Sequence, residues 1–390
     1  MQFPKLFVSV LPLLSLVNSI PVEGITKRAN KVYGVEFSVN RTSDSSLSKR
    51  AGSPLPDDIT GEGTYYKAYF LFGSEKSKIG VTIDTGSSDL WVPNTNASTG
   101  QQYGVYDPSG SSTFKDTGYP FKITYADGTA STGEYVTDSL AFADGSGAIS
   151  NFQFGSVGDT TVSTGGVLGL SVKGLEQVGS SPQYNNLPLA LQSAGLISHA
   201  SYSVYFSSAE ATSGTLLFGG MDSSKYDGNT MAPFTFSGNA VTVPLDKFSI
   251  NGTSTSVSSA MILDTGSTYS FLPTDAHSAL VKQLGGDGSV TNGYSIVNCN
   301  PTGNLSYTFT SSWPDTTLTI DIPLSELVKG ETENCYLTTK PGMSILGDDF
   351  LRHVYLGVNI ESSYVWLAKP LYNTTPAITS FVLWGIVFKS

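Results

Sequence analysis

The residues best suited to chemistry are two aspartates, Asp84 and Asp264. Each stands in D-T-G-S at the end of an apolar run, in "VTIDTGSSDLWVP" from Val81 and "AMILDTGSTYSFLP" from Ala260. Burying a carboxylate is costly unless something offsets its charge. One D-T-G alone is ordinary turn chemistry, because Asp accepts hydrogen bonds from nearby backbone N–H groups. Two copies in matching surroundings point elsewhere. Carboxylates brought within about 3 Å cannot both ionise cheaply and share one proton. One then serves as base and the other as acid around a trapped water, which can attack an amide carbonyl without a metal or a covalent intermediate. The glycines Gly86 and Gly266 let backbone approach the carboxylates. Thr85 and Thr265 are suited to cross-linking the two loops, and the Ser87 and Ser267 hydroxyls to bonding the outer carboxylate oxygens.

The elements that must position these loops are strands. "TYYKAYFLF", "KIGVTI", "FKITY", "TLLFGG", "AVTVPL", "TLTIDI", "VYLGVNI" and "YVWLA" read as strands, punctuated by Gly, Asp, Asn and Ser. Helical text is confined to "LPLALQSAGL" and "TDAHSALVKQLGG". The class is mainly β. "VLG" ends at Gly169, 85 residues past Asp84, and "ILG" ends at Gly347, 83 residues past Asp264. Two anchors at nearly equal spacing predict a duplicated domain, with the boundary in "GGMDSSKYDGNT" near Asp227.

With its tandem D-T-G-S motifs, the chain resembles the pepsin-like aspartic proteases, in particular fungal secreted members such as candidapepsins and yapsins, from about residue 60 to 370. The resemblance implies a bilobal double-β-barrel fold with a cleft between lobes 51–227 and 228–370, and endopeptidase activity in acid. Asp84 and Asp264 would be the catalytic dyad. A β-hairpin flap would carry Tyr125 in "KITYADGTASTGEYV", its hydroxyl paired with the indole of Trp91. Gly86, Gly128, Thr129, Ile262, Gly266 and Thr268 would line the cleft. Asp127 stands where some fungal relatives carry an Asp and tolerate Lys before the scissile bond; the other reading is a D-G turn. Two departures are visible. Ala126 replaces a frequent Gly at the flap, and the loop after Trp91 lacks the cysteines that form a disulfide in many relatives. The implied partners are extended peptides or unfolded proteins and pepstatin-type inhibitors, met by a monomer that needs no cofactor. A pepsin-like protein that binds without cutting is the alternative, although such relatives usually lose a catalytic Asp or the flap Tyr.

Composition sets the compartment. The chain has 390 residues, a net charge of −11 and 14% charged residues, a balance that excludes nucleic acid as a partner. Residues 1–19 read as a secretory signal, with Lys5 ahead of "LFVSVLPLLSLV". Residues 20–50 read as a pro-segment ending at Lys49-Arg50, with Ala51 as the mature start. Residues 1–50 hold seven basic and three acidic residues, so their removal takes the charge from −11 to −15. A cationic pro-segment is then suited to masking an acidic cleft. Cys299 and Cys335, 36 positions apart, suggest one bridge in an oxidising compartment. Sequons stand at Asn40, Asn96, Asn251, Asn304 and Asn373. The C-terminal extension, 371–390, ends in about twelve mostly apolar residues, too few to span a bilayer. Its spacer is short for a GPI-type anchor, which leaves cell-surface retention a minor alternative to a packed terminal strand or an appended segment. His199, His277 and His353 are scattered with no H-E-x-x-H, and G-x-S-x-G is absent, which removes metalloprotease and serine hydrolase readings.

Overall fold

The computed structural model describes residues 32–41 and 63–381, apart from 180–181, 211, 313–314 and 332–333. The signal, both dibasic pairs, Ala51 and the last nine residues lie outside the described residues. The architecture is mainly β, as expected. Strands β1 (Tyr33–Arg41), β2 (Thr64–Phe72), β3 (Ser77–Asp84), β4 (Leu90–Pro93), β5 (Lys115–Thr124), β6 (Ala130–Phe142), β7 (Ile149–Thr160), β8 (Gly166–Gly169), β9 (Ser201–Phe206) and β10 (Ser213–Phe218) belong to one 13-stranded sheet. Strands Ala232–Thr235, Tyr355–Asn359 and Tyr364–Ala368 from the C-terminal half complete it, through pairing of Tyr355–Asn359 with β9. A seven-stranded sheet, including Thr242–Ile250, Thr253–Leu263 and Asn304–Ser312, and a four-stranded sheet that includes Tyr294–Val297 and Asn334–Leu337 lie in the C-terminal half. The two helical stretches read from the sequence are helices Leu187–Ser193 and Thr274–Gln283.

The repeat seen in the sequence is a repeat in strand pairing. β3 runs parallel to β8, with Ile83 opposite Leu168 and Asp84 opposite Gly169, while β8 runs antiparallel to β4. In the second half Ile262 and Leu263 pair in parallel with Ile345 and Leu346, and Ile345 pairs antiparallel with Phe271. Each hydrophobic-hydrophobic-Gly strand is therefore threaded between the strand entering a D-T-G loop and the strand leaving it. The core follows from alternation: Val81, Ile83, Ile79, Tyr66, Ala68 and Phe70 turn one face of β2 and β3 inward. That leaves the opposite face, which carries Asp84, for the site.

Both ends of the described chain pair into sheets. β1, which falls in the segment read from the sequence as a pro-segment, lies inside the large sheet rather than over a cleft. It pairs along six residues with β10 and four with β2, and buries Val35, Phe37 and Val39. Its alternating V-E-F-S-V pattern is strand text in full view in the sequence. At the other end Ile378–Ser380 pairs with Gly220–Asp222, and Phe381 is buried against Trp366. Residues 378–381 are thus packed against the large sheet's C-terminal strands and Gly220–Asp222. Cys299 and Cys335 are bridged. Asn96, Asn251, Asn304 and Asn373 are exposed, and Asn40 is half-buried in β1.

Candidate active site

Each aspartate is positioned by the end of a strand and by its own loop. Asp84 closes β3, and its Oδ1 accepts from Gly86 N at 2.8 Å and its Oδ2 from Ser87 Oγ at 2.5 Å. Asp264 follows Thr253–Leu263 and repeats the pattern, with Gly266 N at 2.8 Å on Oδ1 and Ser267 Oγ at 2.7 Å on Oδ2. The loops are tied to each other by their threonines. Thr85 N donates to Thr265 Oγ1 and Thr265 N to Thr85 Oγ1, both at 3.0 Å. The hydroxyls pass on to Leu263 O at 2.7 Å and Ile83 O at 2.9 Å, so the N–H and the hydroxyl of each threonine find partners in the other half.

This arrangement brings the carboxyl groups of Asp84 and Asp264 side by side, each against the glycine of the other loop. The glycines are what permit it. A Cβ on Gly86 would lie 2.6 Å from Asp264 Cγ, and one on Gly266 would lie 2.8 Å from Asp84 Oδ1. Burial, and next the negative charge of Asp264, push the Asp84 carboxyl from 3.8 up to about 7. The hydrogen bonds from Ser87 and Gly86 oppose this by favouring the ionised form. A pair held this way retains one proton in acid.

The other residues named from the sequence fall around this pair. β5 and β6 form a hairpin whose tip is residues 125–129. Tyr125 N donates to Thr129 O at 2.8 Å, and Gly128 takes the left-handed conformation at φ +86° that the tip needs. Trp91, fully buried, donates its indole Nε1–H to Tyr125 OH at 2.8 Å. The pairing expected from the resemblance is present, with the indole as donor. Asp127 is exposed; its Oδ1 accepts from Thr129 N at 2.8 Å and Thr129 Oγ1 at 2.7 Å, so this oxygen is engaged in the turn. Thr268 Oγ1 accepts from Thr64 N at 2.9 Å and joins the second loop to β2. Ile262 is half-buried two residues before Asp264.

Supporting residues that sequence reasoning passed over are buried acids. Asp89, fully buried, accepts from Tyr135 OH at 2.8 Å, Tyr184 OH at 2.7 Å and Gln177 N at 2.7 Å, and so fixes the segment after β8. Asp349 accepts from Ser270 N at 3.0 Å and Ser270 Oγ at 2.5 Å and braces the strand that leaves the second loop. Burial raises its carboxyl to about 6. Asp348 accepts from Tyr66 OH on β2, across the two halves. The available signal was an acidic pair, "GDDF", inside apolar text beside "ILG". Among the described residues no group of His, Cys, Asp and Glu is arranged to hold a metal ion.

Comparison with known proteins agrees with this geometry. The family model for eukaryotic aspartyl protease matches residues 65–370. Secreted aspartic protease 8 of Candida albicans is 33% identical over 92% of this chain and 93% of its own length. Candidapepsin of Candida tropicalis is 32% identical over the same shares, and Candidapepsin-2 of Candida parapsilosis 34% over 81% of this chain and 77% of its own. The chain belongs to the eukaryotic aspartyl protease family and is an aspartic endopeptidase. The names of its relatives describe secreted enzymes and accord with an extracellular location.

Proposed function

We propose that Asp84 and Asp264 are the catalytic pair and hold one proton between them around an attacking water. The ionised carboxylate takes a proton from water, whose oxygen bonds to the scissile carbonyl carbon. The shared proton passes to the carbonyl oxygen and a neutral tetrahedral diol results. Proton transfer to the amide nitrogen then breaks the C–N bond and releases an amine and a carboxylic acid. The observation that carries this reading is the placement of each carboxyl against the glycine of the other loop, held by the reciprocal Thr85 and Thr265 hydrogen bonds.

The substrate is an extended peptide laid between lobes 51–227 and 228–370 beneath the Tyr125 hairpin, and recognised in part through backbone hydrogen bonds. Gly128, Thr129, Ile262 and Thr268 line its path, and pepstatin-type inhibitors compete for it. The enzyme acts as a monomer, begins at Ala51 after cleavage at Lys49-Arg50, and carries glycans on exposed sequons. Digestion of a peptide library at about pH 4 tests the reading. Wild type cleaves and pepstatin blocks it, while Asp84→Asn and Asp264→Asn each lose about 10³-fold or more in kcat/KM. Unimpaired cleavage by either variant overturns it.

A further inference from the structure

Lys67 on β2 is 1% exposed, yet among the described residues it makes no ion pair. Its ammonium donates to two uncharged oxygens, Thr82 Oγ1 at 3.0 Å and Thr164 O. It lies 4.4 Å from the ring centre of Tyr103 and 5.3 Å from that of Tyr65. In a chain with 32 acidic and 21 basic residues, a buried cation with no acid beside it runs against the composition. Burial alone lowers its amine from 10.5 to about 7, so in acid it is charged nonetheless.

Its position ties this cation to the site. Lys67 is directly opposite Thr82 in the β2–β3 register, and Thr82 is two residues before Asp84. By the period of two, Lys67, Thr82 and Asp84 project from one face, with Thr82 about 7 Å along the strand from Asp84. Tyr65, on the same face, neighbours Thr64, whose N–H binds Thr268 of the second loop. Gly80 makes the space: a Cβ there would lie 3.0 Å from Lys67 Cδ and 3.2 Å from Tyr103 Cβ. Tyr65 and Tyr103 are both half-buried, and their hydroxyls bond each other at 2.7 Å over the ammonium. A substrate group reaches the amine only if these two side chains rotate aside.

We propose that Lys67, behind the Tyr65–Tyr103 pair, forms a specificity subsite for an acidic substrate side chain, Glu or Asp, close to the scissile bond. A carboxylate supplies the countercharge that the buried ammonium lacks, and a charge-assisted hydrogen bond there outweighs one to a neutral amide. The inference rests on the protease reading and adds a residue to it.

The test is kcat/KM on matched peptides that carry Glu, Gln or Lys in turn at each position flanking the cleaved bond, at about pH 5.5, where Glu is mostly ionised. Wild type favours Glu over Gln by about tenfold at one position, with Lys poorest there. The preference fades at about pH 3 as Glu is protonated. Lys67→Met brings the Glu-to-Gln ratio to about one and Lys67→Arg retains it. If Lys67→Met does not fold, Lys67→Gln carries the same readout. A wild-type ratio near one at every position, or a Glu preference undiminished in Lys67→Met, overturns the subsite. Failure of wild type to cleave any peptide would instead remove the protease reading itself.

Discussion

Thr85 and Thr265 exchange equivalent hydrogen bonds across the centre of the molecule, each N–H donating to the other's hydroxyl at 3.0 Å. Both are fully buried, and each hydroxyl continues to the carbonyl of the residue just before the partner half's aspartate. The separation of Asp84 and Asp264 is therefore fixed by the two halves acting on each other.

Removing one hydroxyl leaves a buried N–H and a buried carbonyl without partners. Thr265→Ala is expected to cost about 2–4 kcal/mol in stability, while Thr265→Ser stays within about 1 kcal/mol of wild type. Chemical denaturation reads the difference. Equal stability of the two variants would show that the crossing contributes little.

Gly86→Ala places a methyl group against the carboxyl of Asp264, 2.6 Å from its Cγ. The loops must separate, and kcat should fall at least about 100-fold, since displacement of about 1 Å at a reacting centre has effects of that size. Single-turnover kinetics isolates the chemical step. A folded Gly86→Ala enzyme with normal kcat would contradict the packing described.

Trp91 and Tyr125 should behave as one unit. Trp91→Phe removes the indole donor and Tyr125→Phe its acceptor, and each is expected to lower kcat/KM by about 5- to 10-fold. The double variant should lose little more than either single one, because both remove the same contact. Additive losses in the double-mutant cycle would mean that the 2.8 Å bond does not set the hairpin position.

The pH dependence follows from Asp84. Its folded value of about 7 lies above 3.8, mainly through burial, so between these limits the folded chain holds more proton than the unfolded one. The associated stability is full below about 3.8 and is lost as pH rises through about 7. Wild type should therefore lose Tm between about pH 4 and 8 more steeply than Asp84→Asn, in which this group does not titrate. Activity should fall over the same upper range as the shared proton leaves. Parallel Tm curves for the two proteins would contradict the assignment.

The aspartates, the duplication, the β class and both helices were legible in the sequence because each leaves a local mark: D-T-G after an apolar run, equal spacing to a hydrophobic-hydrophobic-Gly segment, period two or period 3.6. Phe37 was equally legible as strand text, but its place between β2 and β10 depends on partners about 30 and 180 residues away, which alternation alone does not name. Asp89 carries no local signature and Asp349 only its place in the acidic pair of "GDDF", and neither shows its partner, because Tyr184 and Ser270 come from other parts of the chain. Nothing in the strand text "TYYKAYFLF" marks Lys67 as buried. Only the register opposite Thr82, and the space left at Gly80, turn it into a buried cation on the face of Asp84. The sequence alone determined which atoms can do the chemistry and that they come as a pair. The tertiary structure decided their juxtaposition, their burial and their neighbours, because burial and Coulomb energy depend on distances between segments that the linear order leaves open.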